Sequence, residues 1–85
     1  MHLTQIHDYA IQAQMALIVG AKTFDRLFAG IRFDELDGSL LYVYAKNEEI
    51  AAEIEDNFSL HITTIAGSIL KRAVEIVVVM PKVLQ

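Results

Sequence analysis

Apolar positions in this chain recur first at helical spacing, then by alternation, then at helical spacing again, and finally in one more alternating run. Leu3, Ile6, Ala10, Ala13 and Leu17 repeat at three- and four-residue steps, which predicts a helix over about residues 4–18 with a buried stripe. Ile11, Met15 and Ile18 form a second stripe further round the same helix. Both stripes suit a core, and the second also suits a partner surface. Gly20 is placed to end the helix, because glycine takes a positive φ without steric penalty. Phe24, Leu27 and Phe28 predict a short second helix over about 22–29, with Thr23 as its cap.

Two alternating segments, 31–36 and 40–45, flank Asp37-Gly38 and predict an antiparallel hairpin. Asn47 then offers a capping oxygen, and Glu48 and Glu49 suit the positive end of a helix dipole. Ile50, Ile54 and Phe58 make one ridge, continued by Ile62, Ile65, Ala66, Ile69 and Leu70. Asp56, Asn57 and Ser59 weaken the middle, so one bent helix, or two meeting near 57–60, is expected. Gly67 is tolerable there if it marks a close approach to another element. Ala73–Met80 is the most strand-like run, and Pro81 ends it.

This order, α-α-β-β-α(-α)-β, predicts an α+β fold over a single domain, residues 1–85. Its sheet has three strands, antiparallel or mixed, made of the hairpin plus the last strand. Helices pack mainly on one face, giving a KH-like shape. The expected core is Ile6, Ala10, Ala13, Leu17, Phe24, Leu27, Phe28, Leu40, Ile50, Ile54, Phe58, Ile62, Ile65, Ile69, Val74, Ile76 and Val78.

Composition narrows the functional classes. With 54% hydrophobic residues in 85, the chain has more apolar material than a small core requires, which suggests an apolar outer face. There is no cysteine, so disulfides, thiolate metal sites and a cysteine nucleophile are excluded. The N-terminal stretch lacks a basic region and reads as a mature helix, not a leader, and no apolar run is long enough to span a bilayer. Eight of the eleven acids lie between Asp34 and Asp56, where Lys46 is the only base, so a broad basic stripe for duplex DNA is missing.

Catalytic and metal constellations are not found. His2, His7 and His61 have no metal-like spacing, and the glycines form no phosphate-binding loop or G-x-x-G clamp. Glu53, Glu55 and Asp56 are a carboxylate cluster of the kind that surface helices carry routinely. Tyr42 and Tyr44 share a strand face but lack the surrounding aromatic signature of an RNA-binding sheet. No catalytic residue, metal or cofactor is expected.

The stretch Thr23-Phe24-Asp25-Arg26-Leu27-Phe28-Ala29-Gly30-Ile31, the turn and strand Asp37-Gly38-Ser39-Leu40-Leu41, the helix opening Ala45-Lys46-Asn47 and the final Val74–Val79 run together resemble the N-terminal domain of the bacterial replication initiator DnaA. Three positions depart from that pattern: Leu27 stands for the usual tryptophan, Gly30 for a proline and Lys46 for the proline of the helix opening. The resemblance implies a cytoplasmic adaptor without ATPase activity. Such a domain self-associates weakly, recruits the replicative helicase or initiation regulators, and in some members touches single-stranded DNA. It occurs as part of a longer initiator, and a stand-alone copy would regulate initiation by competing for the same partners.

Because the apolar arc of the first helix is wider than one buried stripe needs, Ile6, Tyr9, Ile11, Met15 and Ile18 are expected to carry a weak homodimer. Asp8, Gln12, Lys22, Thr23 and Asp25 are expected to form an exposed partner-binding surface. The alternative is a weak, salt-dependent single-stranded nucleic-acid module using Lys46, Lys71, Arg72 and Lys82 at one edge of the strands.

Overall fold

The computed structural model describes residues 1–82. Helix α1 (Gln5–Val19) begins at Thr4, whose Oγ1 accepts from His7 N at 3.2 Å while Thr4 N donates to His7 Nδ1 at 3.4 Å. This reciprocal pair satisfies two amides that the helix start would otherwise leave unpaired. Gly20 ends α1 at φ 84°, a conformation that disfavours any side chain, and its N–H reaches Ala16 O. Gly20 also opens α2 (Ala21–Thr23), which continues into a single π-helical turn, Phe24–Phe28. Thr23 therefore lies inside the helical segment and does not cap it.

The hairpin is β1 (Arg32–Asp37) and β2 (Leu40–Ala45), with Asp37 opposite Leu40 and Gly38 at φ 63° in the two-residue turn. Phe33 and Leu36 are three residues apart yet both buried, which strict alternation forbids. The register shift between Phe33 and Glu35 resolves this, because one extra residue in β1 resets the pleat. Helix α3 (Glu48–Leu70) then crosses the sheet and leads to β3 (Ile76–Pro81), parallel to β2. The sheet is mixed, in the order β1-β2-β3.

Asn47 Oδ1 accepts from Ile50 N at 2.9 Å, as its place in the sequence suggests. α3 is one continuous helix. Of the two alternatives the sequence left open, the single helix is the one formed. Asn57 Nδ2 donates to Glu53 O and Ser59 Oγ to Glu55 O, so the side chains expected to weaken the middle bond back onto the helix's own carbonyls. A Cβ on Gly67 would stand 3.2 Å from Arg72 O, so the close approach at this glycine is to the chain just after the helix's own end and not to another helix or to the sheet.

One core holds the layers together. Phe28 stacks on Phe24 with ring centroids 5.7 Å apart and meets Phe58 edge-on at 5.5 Å. Around them lie Ile11, Met15, Leu27, Phe33, Leu41, Val43, Ile54, Ile62 and Ala66, with Val77 and Val79 from β3. Two parts of the expected core are inverted. On α1, Ile6, Ala13 and Leu17 face solvent while Ile11 and Met15 are fully buried. On β3, Val77 and Val79 point inward, and Ile76 and Val78 lie on the opposite face, as does Leu40 of β2.

Both sheet edges are covered. Residues 1–3 run against β1, with Leu3 N bonded to Asp34 O and Leu36 N to Met1 O, each at 2.8 Å. On β3 the even-numbered amides pair with β2, as Ile76 N on Ser39 O and Lys82 N on Ala45 O show. The odd-numbered positions face outward: Val79 N is bonded at 3.0 Å by the Glu55 carboxylate, and Pro81 has no N–H to offer. An edge treated in this way is a poor template for further strand pairing.

Candidate functional site

Asp8 and Gln12 decide which way α1 faces. Asp8 Oδ1 accepts from Phe33 N at 2.9 Å and from Gln12 Nε2 at 3.0 Å, and the same Nε2 lies 3.0 Å from Ile31 O. The two side chains thus bond the backbone of β1 and its approach, beside the bulge. At about 100° per residue they share one arc of the helix with Ile11, Met15 and Val19. The arc diametrically opposite carries Ile6, Ala10, Ala13 and Leu17. Asp8 and Gln12 are therefore half-buried docking groups and not an exposed partner surface, and Ile11 and Met15 are unavailable for self-association.

What α1 leaves outside is apolar. Ile6 is 80% exposed, Tyr9 58%, Leu17 81% and Ile18 50%. Leu60, on the outer side of α3, is 78% exposed. Ile18 and Leu60 wall a groove of about 230 Å³ with His61, Thr64 and Ile65. Asp8 is the only Asp, Glu, Lys or Arg in α1, and it is turned onto β1, so the outward arc carries no charge from these residues. Leu17 and Leu60 were not among the expected surface residues. Leu60 had a legible signal, since it falls off the ridge of Ile50, Ile54 and Phe58; Leu17 had none, because its spacing fits the wrong stripe perfectly well.

Of the remaining expected partner residues, Lys22 and Asp25 are exposed and Thr23 is half-buried. Lys46 Nζ reaches back to Asp25 O at 3.4 Å. The four bases expected to share one edge are split between two ends of the sheet. Lys46 and Lys82 follow the paired residues Ala45 and Pro81, and Arg32 lies opposite Tyr44 at that same end. Lys71 and Arg72 precede β3 at the other end, roughly 20 Å away at ~3.3 Å per strand residue.

Besides Asp8, three acids are firmly engaged within the fold. Glu53 forms a two-armed ion pair with Arg26, at 3.1 and 2.9 Å, joining the π-helical turn to α3. The Arg26 hydrogen bond holds the Glu53 carboxyl below the usual carboxylate range and raises Arg26 in turn. Glu55 holds the β3 edge, and Asp34 is held by the Arg32 guanidinium, with Nε at 3.0 Å. Among the described residues, His2, Asp34 and Glu35 are a group whose ligand atoms all come within 4.8 Å of one another. His2 is widely exposed and Asp34 already has its cation, so this group is not a built metal centre. Among the described residues no helix is long and apolar enough to cross a membrane.

Comparison with protein-family models, with curated proteins and with solved structures finds no match to this chain.

Proposed function

We propose that this chain is a cytoplasmic protein-interaction module that self-associates through the outward arc of α1 and serves chromosomal replication initiation by recruiting the replicative helicase or initiation regulators. The observation that carries the self-association is the apolar arc of Ile6, Tyr9, Leu17 and Ile18, extended by Leu60, on a helix whose one charged residue is spent on β1. Ile6 and Leu17 are at the centre of that arc, with Tyr9 on its β1 flank and Ile18 on its α3 flank. A broad apolar arc with no Asp, Glu, Lys or Arg among its residues suits contact with another apolar surface. The replication context rests on the resemblance of Thr23–Ile31, Asp37–Leu41 and Ala45–Asn47 to the initiator domain. In this reading the chain binds and positions other proteins and performs no catalysis.

A patch of three to four helical turns falls below the area of a stable interface, so the homodimer is of micromolar or weaker affinity. Such weakness suits a module whose local concentration is raised by other contacts of a larger assembly. Sedimentation velocity over a wide concentration range tests this with wild type, Tyr9→Ala and Leu17→Glu. Wild type shifts toward dimer with concentration and Leu17→Glu stays monomeric; a wild type that is monomeric at millimolar concentration contradicts self-association. The helicase role is tested separately, by capture of the cognate helicase on wild type and on Asp25→Lys. Binding that Asp25→Lys weakens supports the exposed Lys22–Asp25 segment as the contact, and no capture by wild type removes the helicase from the proposal.

A further inference from the structure

The outer face of the sheet is a second apolar surface, built on a different principle from the arc of α1. Leu40, Tyr42 and Tyr44 of β2 stand in register with Ile76, Val78 and Met80 of β3, and no described element covers them. β1 supplies only charge to the same face: Arg32, then Asp34, Glu35 and Asp37. The face is thus two columns of apolar residues beside a charged column in which Arg32 and Asp34 pair with each other; Glu35 and Asp37 make the Leu40 end acidic, and Lys82 joins Arg32 at the Tyr44 end. Residues 1–3 pair with β1, and Glu55 and Pro81 blunt the β3 edge, so strand addition is disfavoured and the open approach is across the face.

We propose that this face is a docking site for an amphipathic helix of a partner protein, with lysine or arginine along one flank. Two strands about 4.8 Å apart and six residues long make a strip about 10 Å wide and nearly 20 Å long, which is the footprint of one helix of three to four turns. The apolar stripe of that helix covers the β2 and β3 columns, and its basic flank meets Glu35 and Asp37. The chain's own long helices do not fit this description, since neither α1 nor α3 contains a lysine or arginine. That argues against a second copy as the occupant. At the Leu40 end Glu35 and Asp37 repel a phosphate chain, whereas Tyr44 stands beside Arg32 and Lys82, so the oligonucleotide arm of the test below decides whether single-stranded nucleic acid stacks there. The site is separate from the arc of α1, and either surface stands if the other fails.

The test is a nuclear magnetic resonance titration of the labelled chain with a synthetic helical peptide of about 14 residues, long enough at ~1.5 Å per residue to span the strip. The peptide carries leucines at i, i+3, i+4 and i+7 and lysines on one flank; a second peptide has glutamate for each lysine. The lysine peptide is expected to shift the amides of Tyr42, Tyr44, Val78 and Met80, and to bind at least about tenfold more weakly to Val78→Glu. Ile76→Glu, at an already exposed position, serves the same purpose if Val78→Glu does not fold. The double change Glu35→Lys and Asp37→Lys is expected to reverse the preference toward the glutamate peptide. Equal binding of the two peptides, shifts confined to α1 and Leu60, no shifts at millimolar peptide, or larger shifts of the same amides with a thymidine oligonucleotide would each overturn the proposal. Repeating the titration on Leu17→Glu separates it from self-association, since loss of the α1 contact leaves the sheet response unchanged.

Discussion

Helices α1 and α3 pack on the same sheet and are both rich in apolar residues, yet only α3 shows its inner face in its letters. In α3 the acids Glu48, Glu49, Glu53, Glu55 and Asp56 crowd the first half and leave one ridge for the core, so Ile54 and Ile62 are buried where the spacing places them. In α1 the polar residues mislead. Asp8 and Gln12 look like solvent-facing groups, and the apolar stripe farthest from them looks like the core. The structure turns the helix half a revolution, because the Phe33 amide and the Ile31 carbonyl beside the β1 bulge are satisfied by these two side chains. Hydrophobic spacing locates an inner face when one side is polar; when both sides are apolar, the orientation is set by where the backbone needs hydrogen-bond partners.

The contrast is broken most sharply by truncation on each side of α1. Phe28→Ala, at the centre of the aromatic cluster, should cost about 3–5 kcal/mol, and Met15→Ala about 2–4 kcal/mol. Leu17→Ala should change stability by less than about 0.5 kcal/mol, since its side chain already stands in water. Urea unfolding of Met15→Ala and Leu17→Ala checks the pair; a larger loss for Leu17→Ala would mean that α1 faces the sheet the other way, and equal losses would contradict the one-sided burial. Asp8→Ala should come next, at about 1–3 kcal/mol, because it leaves the part-buried Phe33 amide without its acceptor. Asp8→Asn, which keeps an oxygen in place, should recover part of that loss.

Smaller effects sharpen the account of the rest of the fold. Lys71 closes α3 in the left-handed conformation at φ 55°, which glycine adopts more readily, so Lys71→Gly should raise stability by about 0.5–1 kcal/mol in the same urea assay. The smallest effect expected is on pH. The Arg26 hydrogen bond depresses Glu53, so its contribution is complete above the unfolded carboxyl value and is lost as the pH falls through the folded one. Glu53→Gln should therefore lower stability slightly at neutral pH and converge with wild type in acid, as thermal melts at both pH values would show.

The order of elements, the three strands, the Gly38 turn and the Asn47 cap were legible because each has a local cause: a period, a positive φ or a capping oxygen; whether β3 would run parallel or antiparallel was left open. The facing of β3 was not, because Ile76, Val77, Val78 and Val79 are apolar on both sides and a strand that slips by one residue loses no apolar alternation. The continuity of α3 through Asn57 and Ser59 was hidden in bonds back to their own helix. Of the apolar residues expected on the surface, Tyr9 and Ile18 are exposed, Ile6, which was also expected in the core, is exposed, and Ile11 and Met15 are buried; Leu17 was expected in the core and Leu60 was assigned to neither.

The central claim is that the outward arc of α1 is where two copies meet. A dilution series of the isotope-labelled chain, followed amide by amide from millimolar to micromolar concentration, tests it most directly. Concentration-dependent shifts at Ile6, Tyr9, Ala13, Leu17, Ile18 and Leu60, with the amides of β2 and β3 unmoved, are the expected result. Spectra that do not change with concentration, or shifts centred on Tyr42, Val78 and Met80, would contradict it.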